Sequence, residues 1–250
     1  MDIPASHRQK HAAVALEWGP PAVEALDGVQ IAVVVDVLSF TTTLSVAADA
    51  GAVVLPHPWR EGADEFAQTH DAILAVGRSR AGEGQISLSP AAMRAHARIG
   101  MRIVLPSPNG ATLAHHLADR GVRCVGASLR NAAAVADWIA DQQPSRVAVI
   151  PAGERWPDDS LRPAVEDLWG AGAVVAALVR RGVGPASAEA RVAAAAFAAL
   201  DGPAAALRDC ASGRELIDAG FADDVEIAAE VDTSRAVPVL DGPAFTNLAP

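Results

Sequence analysis

The chain has 250 residues, of which 51% are hydrophobic and only 4% aromatic, with no tyrosine. This length is enough to bury a large core, and a charged fraction of 20% is ordinary for a globular protein. The acidic residues number 30 and the basic residues 20, which gives a net charge of −10. Because nucleic-acid binding requires a positive surface, we expect no nucleic-acid partner.

Short β-branched segments alternate with alanine-rich segments of helical length from residue 29 to residue 151. The predicted strands are Val29–Asp36, Ala52–Pro56, Ala72–Val76, Arg102–Pro106, Val122–Gly126 and Arg146–Pro151. The predicted helices between them are Thr41–Ala50, Arg60–His70, Asn109–Arg120 and Asn131–Gln142. Alternation of this kind predicts an α/β fold, which we expect to be a three-layer α/β/α sandwich around a largely parallel or mixed sheet.

The C-terminal part of the chain is richer in helical patterns. The predicted helices are Glu166–Arg181, Ala186–Leu200 and a pair of short ones over Ala204–Ala219, followed by strands at Asp224–Glu230 and Ala236–Leu240. No linker-like stretch separates these elements from the first part. We therefore predict one domain over residues 1–250, with two lobes at about 1–150 and 151–250 as the alternative description.

Neither export nor membrane insertion is indicated by the sequence. The N-terminal segment has polar residues where a signal peptide needs its apolar core. The longest apolar runs, such as Gly170–Val179, are far shorter than the roughly 20 residues that cross a bilayer. We expect a cytoplasmic protein without a membrane partner. Cys124 and Cys210 stand far apart, outside any C-x-x-C pattern, and are predicted to be small buried side chains.

Polar residues collect directly after four of the predicted strands. They are Asp36 with Thr41, Thr42 and Thr43; Ser107, Asn109 and Gly110; Ser128, Arg130 and Asn131; and the stretch AGERWPDD (152–159), which the pair Glu166 and Asp167 follows at the start of a helix. In open α/β sheets, ligands bind beyond the carboxyl ends of the strands. We therefore expect a pocket that offers carboxylates to a hard cation and N–H and O–H donors to an oxyanion.

Each of these residues also has a simpler structural explanation. Serine, threonine and asparagine before helices are ordinary N-caps, and acidic residues such as Glu166 and Asp167 are favoured in a first helical turn. Arg78 and Arg80 either hold an anion or are solvated. Asp36 is different, because a carboxylate at the end of a buried strand is costly unless it is paired, hydrogen-bonded or bound to a metal.

Common phosphate-binding and hydrolase motifs are missing from the sequence. It contains no G-x-x-x-x-G-K-[ST], no G-x-G-x-x-G after a strand, no G-x-S-x-G and no H-E-x-x-H. Phosphatases with an aspartyl nucleophile carry a second aspartate two residues on, where this chain has Leu38. An aspartyl-phosphate mechanism of that type is disfavoured.

Five stretches together resemble the magnesium-dependent 2-phosphosulfolactate phosphatases, the ComB family. These stretches are VVVDVLSFTTTLSVAADAGA (33–52), SPNGATL (107–113), GASLRNAAAVA (126–136), PAGE with VEDLWGAGAVV (151–175) and, more weakly, ASGRELIDAGFADDV (211–225). They occur in the order of the family and cover most of the chain from about residue 29 to 240. The resemblance implies an α/β phosphatase that hydrolyses 2-phosphosulfolactate to sulfolactate and phosphate. In methanogens the family acts in coenzyme M biosynthesis.

The resemblance also implies roles for individual residues. Asp36, Glu166 and Asp167 are expected to bind Mg²⁺, and Asp36, Asn109, Ser128 and Asn131 to be catalytic. The expected substrate-binding residues are Thr41, Thr42, Thr43, Gly110, Arg130, Arg78 and Arg80. The partner is a small anionic phosphorylated substrate, and a homodimer is a family-level expectation.

Two departures from the family pattern concern charge. The family usually has arginine where this chain has Ser39, and glutamate where this chain has Arg78. The hypothesis is that Arg130, Arg78 or Arg80 replaces the missing positive charge. Two alternatives therefore stay open: a phosphatase for another small phospho acid, and a non-catalytic protein that binds an anionic metabolite. Direct attack by water and a phosphorylated side chain also both stay open.

Overall fold

The computed structural model describes residues 3–59, 62–82 and 84–249. The chain forms the predicted three-layer α/β/α sandwich around a mixed sheet. In chain order the strands are β1 Val14–Leu16, β2 Ile31–Val35, β3 Val53–Pro58, β4 Ile73–Leu74, β5 Arg102–Ser107, β6 Arg123–Ala127, β7 Val147–Pro151, β8 Glu154–Arg155, β9 Leu161–Arg162, β10 Pro238–Asp241 and β11 Ala244–Asn247.

Helices cover both faces of the sheet. They are α1 Gly19–Ala25, α2 Phe40–Asp49, α3 Ala63–Thr69, α4 Pro90–His96, α5 Gly110–Asp119, α6 Ala132–Asp141, α7 Val165–Arg180, α8 Ala188–Ala198, α9 Pro203–Asp209, α10 Ala211–Asp218 and α11 Ala222–Ala228. Short 3-10 turns lie at Ala5–Arg8, Arg78–Arg80 and Leu129–Asn131. Both predicted lobes contribute strands to the one large sheet.

Among the described residues, the large sheet has nine strands, in the order β1-β7-β2-β6-β10-β11-β3-β5-β4. Strands β1, β7, β2 and β6 pair in parallel, and so do β3, β5 and β4. The antiparallel hairpin β10–β11 joins these two parallel groups. Because three antiparallel pairings separate β6 from β3, the two groups run in opposite directions. Strands β8 and β9 form a separate hairpin after β7.

Strand β2 explains why the sheet is covered on both faces. All five of its residues are buried and apolar, as is typical of a central strand. Ile31, Val33 and Val35 pack into one core with α6 and α7, whereas Ala32 and Val34 pack into another with α2 and α5. The alternation of side chains along a strand thus places one helix layer on each face.

Most predicted elements match observed ones to within about two residues, a difference that is ordinary for helix and strand ends. The predicted strand at Ala72–Val76 is shortened to Ile73–Leu74. The two predicted short helices over Ala204–Ala219 are confirmed as α9 and α10. The first two positions of the helix predicted over 60–70 lie outside the described residues, and the described part forms α3.

The prediction of a strand at Asp224–Glu230 is wrong, because this segment belongs to helix α11. The first four residues of the segment, DVEI, alternate polar and apolar side chains, a period that is typical of strands. The helix instead buries Val225 and Ala228, three residues apart on one face, and it also buries the charged Asp224.

Both cysteines are buried and free, as predicted. Within the described residues, no single helix is long and apolar enough to cross a membrane, and α8 and α9 pass that test only as a pair bent by 103°.

Candidate active site

Asp36 lies immediately after β2, 5% exposed, where the helices α2 and α5 begin. Its Oδ1 accepts the backbone N–H of Phe40 at 3.0 Å, and its Oδ2 accepts the backbone N–H of Gly110 at 2.9 Å. Burial raises the pKa of Asp36, and these two N–H donors and the charge of Arg78 oppose the rise. One carboxylate therefore connects the first turns of two helices.

Gly110 is required for this close approach. A Cβ atom at this position would lie 2.4 Å from Cδ1 of Phe40 and 2.8 Å from Oδ2 of Asp36. Both distances are far below van der Waals contact, so only glycine lets the start of α5 reach the carboxylate. The Asn-Gly sequence predicted to belong to the site does lie against Asp36.

The first turn of α2 carries three threonines, Thr41, Thr42 and Thr43, whose hydroxyl groups all bind backbone oxygens. Their hydroxyl groups donate to backbone carbonyl oxygens of Asp36, Val37 and Leu88, each at 2.7 Å. All three side chains are buried. Each hydroxyl hydrogen is therefore used within the fold, and only Thr41 bonds directly to the backbone of Asp36. The predicted contact of the three threonines with substrate stays a prediction.

Asp167 and Glu166 begin helix α7 and are buried beside this loop. The Oδ1 atom of Asp167 accepts the N–H of Val37 at 2.7 Å, and Oδ2 accepts the N–H of Gly153 at 2.8 Å. Burial raises the pKa of Asp167 well above its usual value, and the charges of Asp36 and Glu166 add to the rise. The acidic residues are therefore close enough to repel one another.

Glu154, in β8, is a site residue that the sequence analysis did not assign. Its Oε2 accepts the side-chain N–H of Asn109 at 2.9 Å. Burial and, next, the charge of Asp36 raise the pKa of Glu154 to about 7. The residue follows β7 in the stretch PAGE, so the rule that directed attention to strand ends would have found it.

Arg78 reaches Ser39, the residue just before α2. Its Nη2 donates to the hydroxyl of Ser39, and its Nε donates to Oδ2 of Asp224 at 2.9 Å. Arg78 thus brings a positive charge to the side of Asp36, next to the position where the family usually has arginine. Asp224 was not among the predicted site residues.

The remaining predicted residues make no hydrogen bond to Asp36 within the described residues, although Ser128 directly follows Ala127, the sheet partner of Val35. Arg130 donates to Ser45, Asp49 and Glu230, so its guanidinium group binds the outer part of α2 and the end of α11. Ser128 and Asn131 form a buried capping box, and the Asn131 amide donates to two carbonyl oxygens. Arg80 is exposed and makes no side-chain hydrogen bond or ion pair within the described ranges. Their roles in the site stay predictions.

The contact between Gly110 and Asp36 joins oppositely running parts of the sheet. The sequence argument assumed that β2 and β5 end at the same edge, but the two strands belong to the oppositely directed groups. Helix α5 packs against β2, β3 and β6, and this packing brings its first residue, Gly110, to Asp36.

The carboxylates have the chemistry that a magnesium ion requires. In the part of the chain that the structure describes, no three acidic, histidine or cysteine side chains are already arranged as a metal cage. Mg²⁺ does not need one, since it usually takes one or two protein carboxylates together with waters and phosphate oxygens. Asp36, Glu166, Asp167 and Glu154 provide hard oxygen donors whose mutual repulsion a cation would relieve.

Comparison with known proteins identifies relatives of this chain. A family model described as 2-phosphosulpholactate phosphatase matches residues 21–243. A protein of Deinococcus radiodurans named "Probable 2-phosphosulfolactate phosphatase" is 30% identical over 223 residues, covering 84% of this chain and 87% of the relative.

Two further relatives carry the same name. The protein of Thermus thermophilus is 32% identical over 215 residues, covering 85% of this chain and 88% of its own. The protein of a Synechococcus species is 29% identical over 232 residues, covering 90% and 92%. The matched family is one of phosphoric monoester hydrolases, which makes this chain an enzyme of that class. As the resemblance predicted, the chain belongs to the 2-phosphosulpholactate phosphatase family.

Proposed function

We propose that this enzyme is a Mg²⁺-dependent phosphatase that hydrolyses 2-phosphosulfolactate to sulfolactate and phosphate. The observation that carries the proposal is the buried carboxylate of Asp36, which two helix N-termini hold beside three further acidic residues. Family membership supports the substrate class. An anionic substrate needs a positive element in so acidic a site, and a divalent cation meets that need.

Asp36 and Glu166 would hold the magnesium ion, with Asp167 completing the acidic set. When bound, the ion neutralises charge on the phosphate oxygens. Because both oxygens of Asp167 accept backbone N–H groups, this residue fixes the loop after β2 relative to the loop after β7. The position of Asp36 therefore depends on Asp167.

Glu154 is the group suited to move a proton. With its pKa raised to about 7, it exchanges a proton readily at neutral pH, as a general acid or base requires. The hydrogen bond from Asn109 holds its carboxyl group on the side of Asp36. We assign Asn109 the task of orienting Glu154 and Glu154 the task of proton transfer to or from a reacting oxygen.

A second candidate is a phosphatase for another small phospho acid. The two departures from the family sequence favour it, since this chain has Ser39 where the family usually has arginine and Arg78 where the family usually has glutamate. Both candidates are tested by measuring phosphate release from 2-phosphosulfolactate and from a panel of small phospho acids, with Mg²⁺ and with a chelator. Release only from another phospho acid would replace the named substrate. No release from any of them would overturn the enzymatic proposal in favour of a binding protein.

Magnesium binding has its own test, which does not depend on turnover. We expect Mg²⁺ at about 100 times its dissociation constant to stabilise the protein by about 2.7 kcal/mol in thermal unfolding. The Glu166→Gln variant should lose most of this shift. Glu226→Gln, which alters an exposed ion pair with Arg208, is the matched control and should keep it. Equal magnesium shifts in all three proteins would contradict the proposed ligand.

The proposal includes the cellular setting that the sequence predicts. We place the enzyme in the cytoplasm, without a nucleic-acid or membrane partner, in keeping with its net charge of −10. A homodimer remains part of the proposal, and sedimentation velocity would measure it.

A further inference from the structure

Arg78 has two of its three guanidinium nitrogens bound within the protein. Nε donates to Asp224, and Nη2 donates to the hydroxyl of Ser39 and, at 3.5 Å, to the carbonyl oxygen of Leu88. Nη1 makes no hydrogen bond within residues 3–59, 62–82 and 84–249. The Arg78 side chain is 16% exposed, and Nη1 is not among the buried unpartnered atoms of the described residues, so this nitrogen is accessible to a ligand.

Asp224 fixes the orientation of this guanidinium group. Its side chain is 1% exposed. While Oδ2 binds Arg78, Oδ1 accepts the hydroxyl of Ser89 and the backbone N–H of Ala91 at 3.2 Å. A single carboxylate therefore ties the 3-10 turn at Arg78–Arg80 to the start of α4 and to α11. Because a guanidinium group is planar, fixing Nε and Nη2 also fixes the direction of Nη1.

The fixed guanidinium group lies beside the candidate active site. Ser39 immediately precedes Phe40, whose N–H binds Asp36. The charge of Arg78 is also close enough to act on the carboxylate of Asp36. We propose that Asp224 is a positioning residue, which holds Arg78 so that its Nη1 binds an oxyanion of the substrate. This inference rests on the proposed function only for the identity of that substrate.

Arg130 provides a contrast, because its guanidinium group has every nitrogen bound within the protein. All three of its nitrogens donate to protein oxygens, and its side chain is 6% exposed. Arg78 differs because it keeps one donor free at an accessible position. The free Nη1 donor of Arg78 is suited to a charge-assisted hydrogen bond with an oxyanion.

Direct binding measurements test the inference without requiring turnover. Inorganic phosphate and sulfolactate, each with Mg²⁺, are titrated calorimetrically into wild type, Arg78→Ala, Arg78→Lys, Asp224→Asn and Glu226→Gln. The loss of one charged hydrogen bond weakens binding by about ten- to hundredfold. We therefore expect Arg78→Ala to bind at least one of the two ligands that much more weakly than wild type does. For Asp224→Asn we expect about three- to tenfold, since the donor stays but its orientation is lost.

The two ligands distinguish the oxyanion that Arg78 contacts. Weakening of phosphate binding assigns it to the phosphoryl group, and weakening of sulfolactate binding assigns it to the sulfonate or carboxylate. Glu226 lies on the same helix as Asp224, in an exposed ion pair with Arg208, so Glu226→Gln should bind both ligands like wild type. Wild-type affinity of Arg78→Ala for both ligands, or no binding of either ligand by wild type, overturns the inference.

A rescue experiment separates ligand binding from a structural role. In the Arg78→Ala background, Ser39→Arg puts a guanidinium group next to the position that Nη2 of Arg78 occupied. We expect the double variant to recover at least about a third of the binding free energy that Arg78→Ala loses. Its melting temperature should stay as low as that of Arg78→Ala, because the contact with Asp224 is still missing. If the double variant recovers stability but no affinity, Arg78 is structural. If Arg78→Ala does not fold, ligand affinity is compared between wild type and Arg78→Lys, which keeps the positive charge of Arg78.

Failure of this inference can be distinguished from failure of the proposed function. Phosphate release by the wild type is measured separately. If wild type hydrolyses none of the phosphoesters, the proposed function fails, while the ratios of dissociation constants still decide the role of Arg78 and Asp224. If wild type is active and the variants bind normally, only the inference fails.

Discussion

Replacing Gly110 by alanine tests the close contact between α5 and Asp36. The added methyl group would lie 2.4 Å from Cδ1 of Phe40 and 2.8 Å from Oδ2 of Asp36. Phe40 is fully buried and packs edge-on against Phe245, so it has little room to move. The start of α5 must therefore shift, and this shift stretches the hydrogen bond from the Gly110 N–H to Asp36.

The expected loss of stability follows from these two effects. Overpacking a core costs about 1–3 kcal/mol, and losing a hydrogen bond to a charged acceptor costs about 1.5–3 kcal/mol. Since the shift that relieves the first effect causes the second, the two overlap, and we expect a total of about 2–4 kcal/mol. In a protein of this size, that corresponds to a melting temperature lower by about 4–16 °C.

Differential scanning calorimetry measures the change, and phosphate release measures its functional effect. Displacing a catalytic group by about 1 Å lowers the rate by about a hundredfold, which is the loss we expect in kcat. Gly202→Ala is the control, because a Cβ at Gly202 meets no atom within 4 Å. A Gly110→Ala protein that melts within about 2 °C of wild type would refute the reasoning.

Two further substitutions test the electrostatics of the site and its surroundings. The pKa of Glu154 is raised to about 7 from an ordinary value of 4.5. Between these two pH values the folded state binds more protons than the unfolded state, so the protein loses stability as the pH rises from 4.5 to 7. Urea unfolding of wild type and Glu154→Gln at pH 5 and pH 8 measures this loss, which we expect to be smaller in the variant by up to about 3 kcal/mol. An identical loss of stability in wild type and Glu154→Gln would contradict the buried position of Glu154 beside Asp36. Arg130→Ala should destabilise the fold by about 1–3 kcal/mol, because it leaves Ser45, Asp49 and Glu230 without their shared donor, while KM changes by less than about twofold. A tenfold rise in KM would instead place Arg130 in the substrate site.

The architecture of the sheet could be predicted largely from residue patterns. Strand β2 is a short apolar run followed by polar residues and a helical segment, and such local signals specify a buried strand and the helix after it. The hairpin β10–β11 could not be placed in this way, because its position between β6 and β3 depends on pairing between residues more than 100 positions apart. The opposite directions of the two parallel groups follow from that pairing.

In the candidate site, too, residues with a local sequence signal could be predicted, whereas contacts between residues distant in the sequence could not. Asp36 was identifiable because a carboxylate at the end of a buried strand needs a compensating partner. One of its partners, the N–H of Phe40, is four positions away, but the other, the N–H of Gly110, is 74 positions away and became evident only from the fold. Asp224 was missed because its segment was interpreted as a strand, and a buried charge on a helix has no local sequence signature.

The central claim is that Asp36 is the key residue of a phosphatase acting on 2-phosphosulfolactate. Phosphate release from this substrate in the presence of Mg²⁺, compared between wild type and Asp36→Asn, tests it most directly. We predict turnover by wild type and a loss of at least about a hundredfold in the variant, with its thermal unfolding measured alongside to establish that it is folded. A folded Asp36→Asn protein that retains the wild-type rate, or a wild type that releases no phosphate, would contradict the claim.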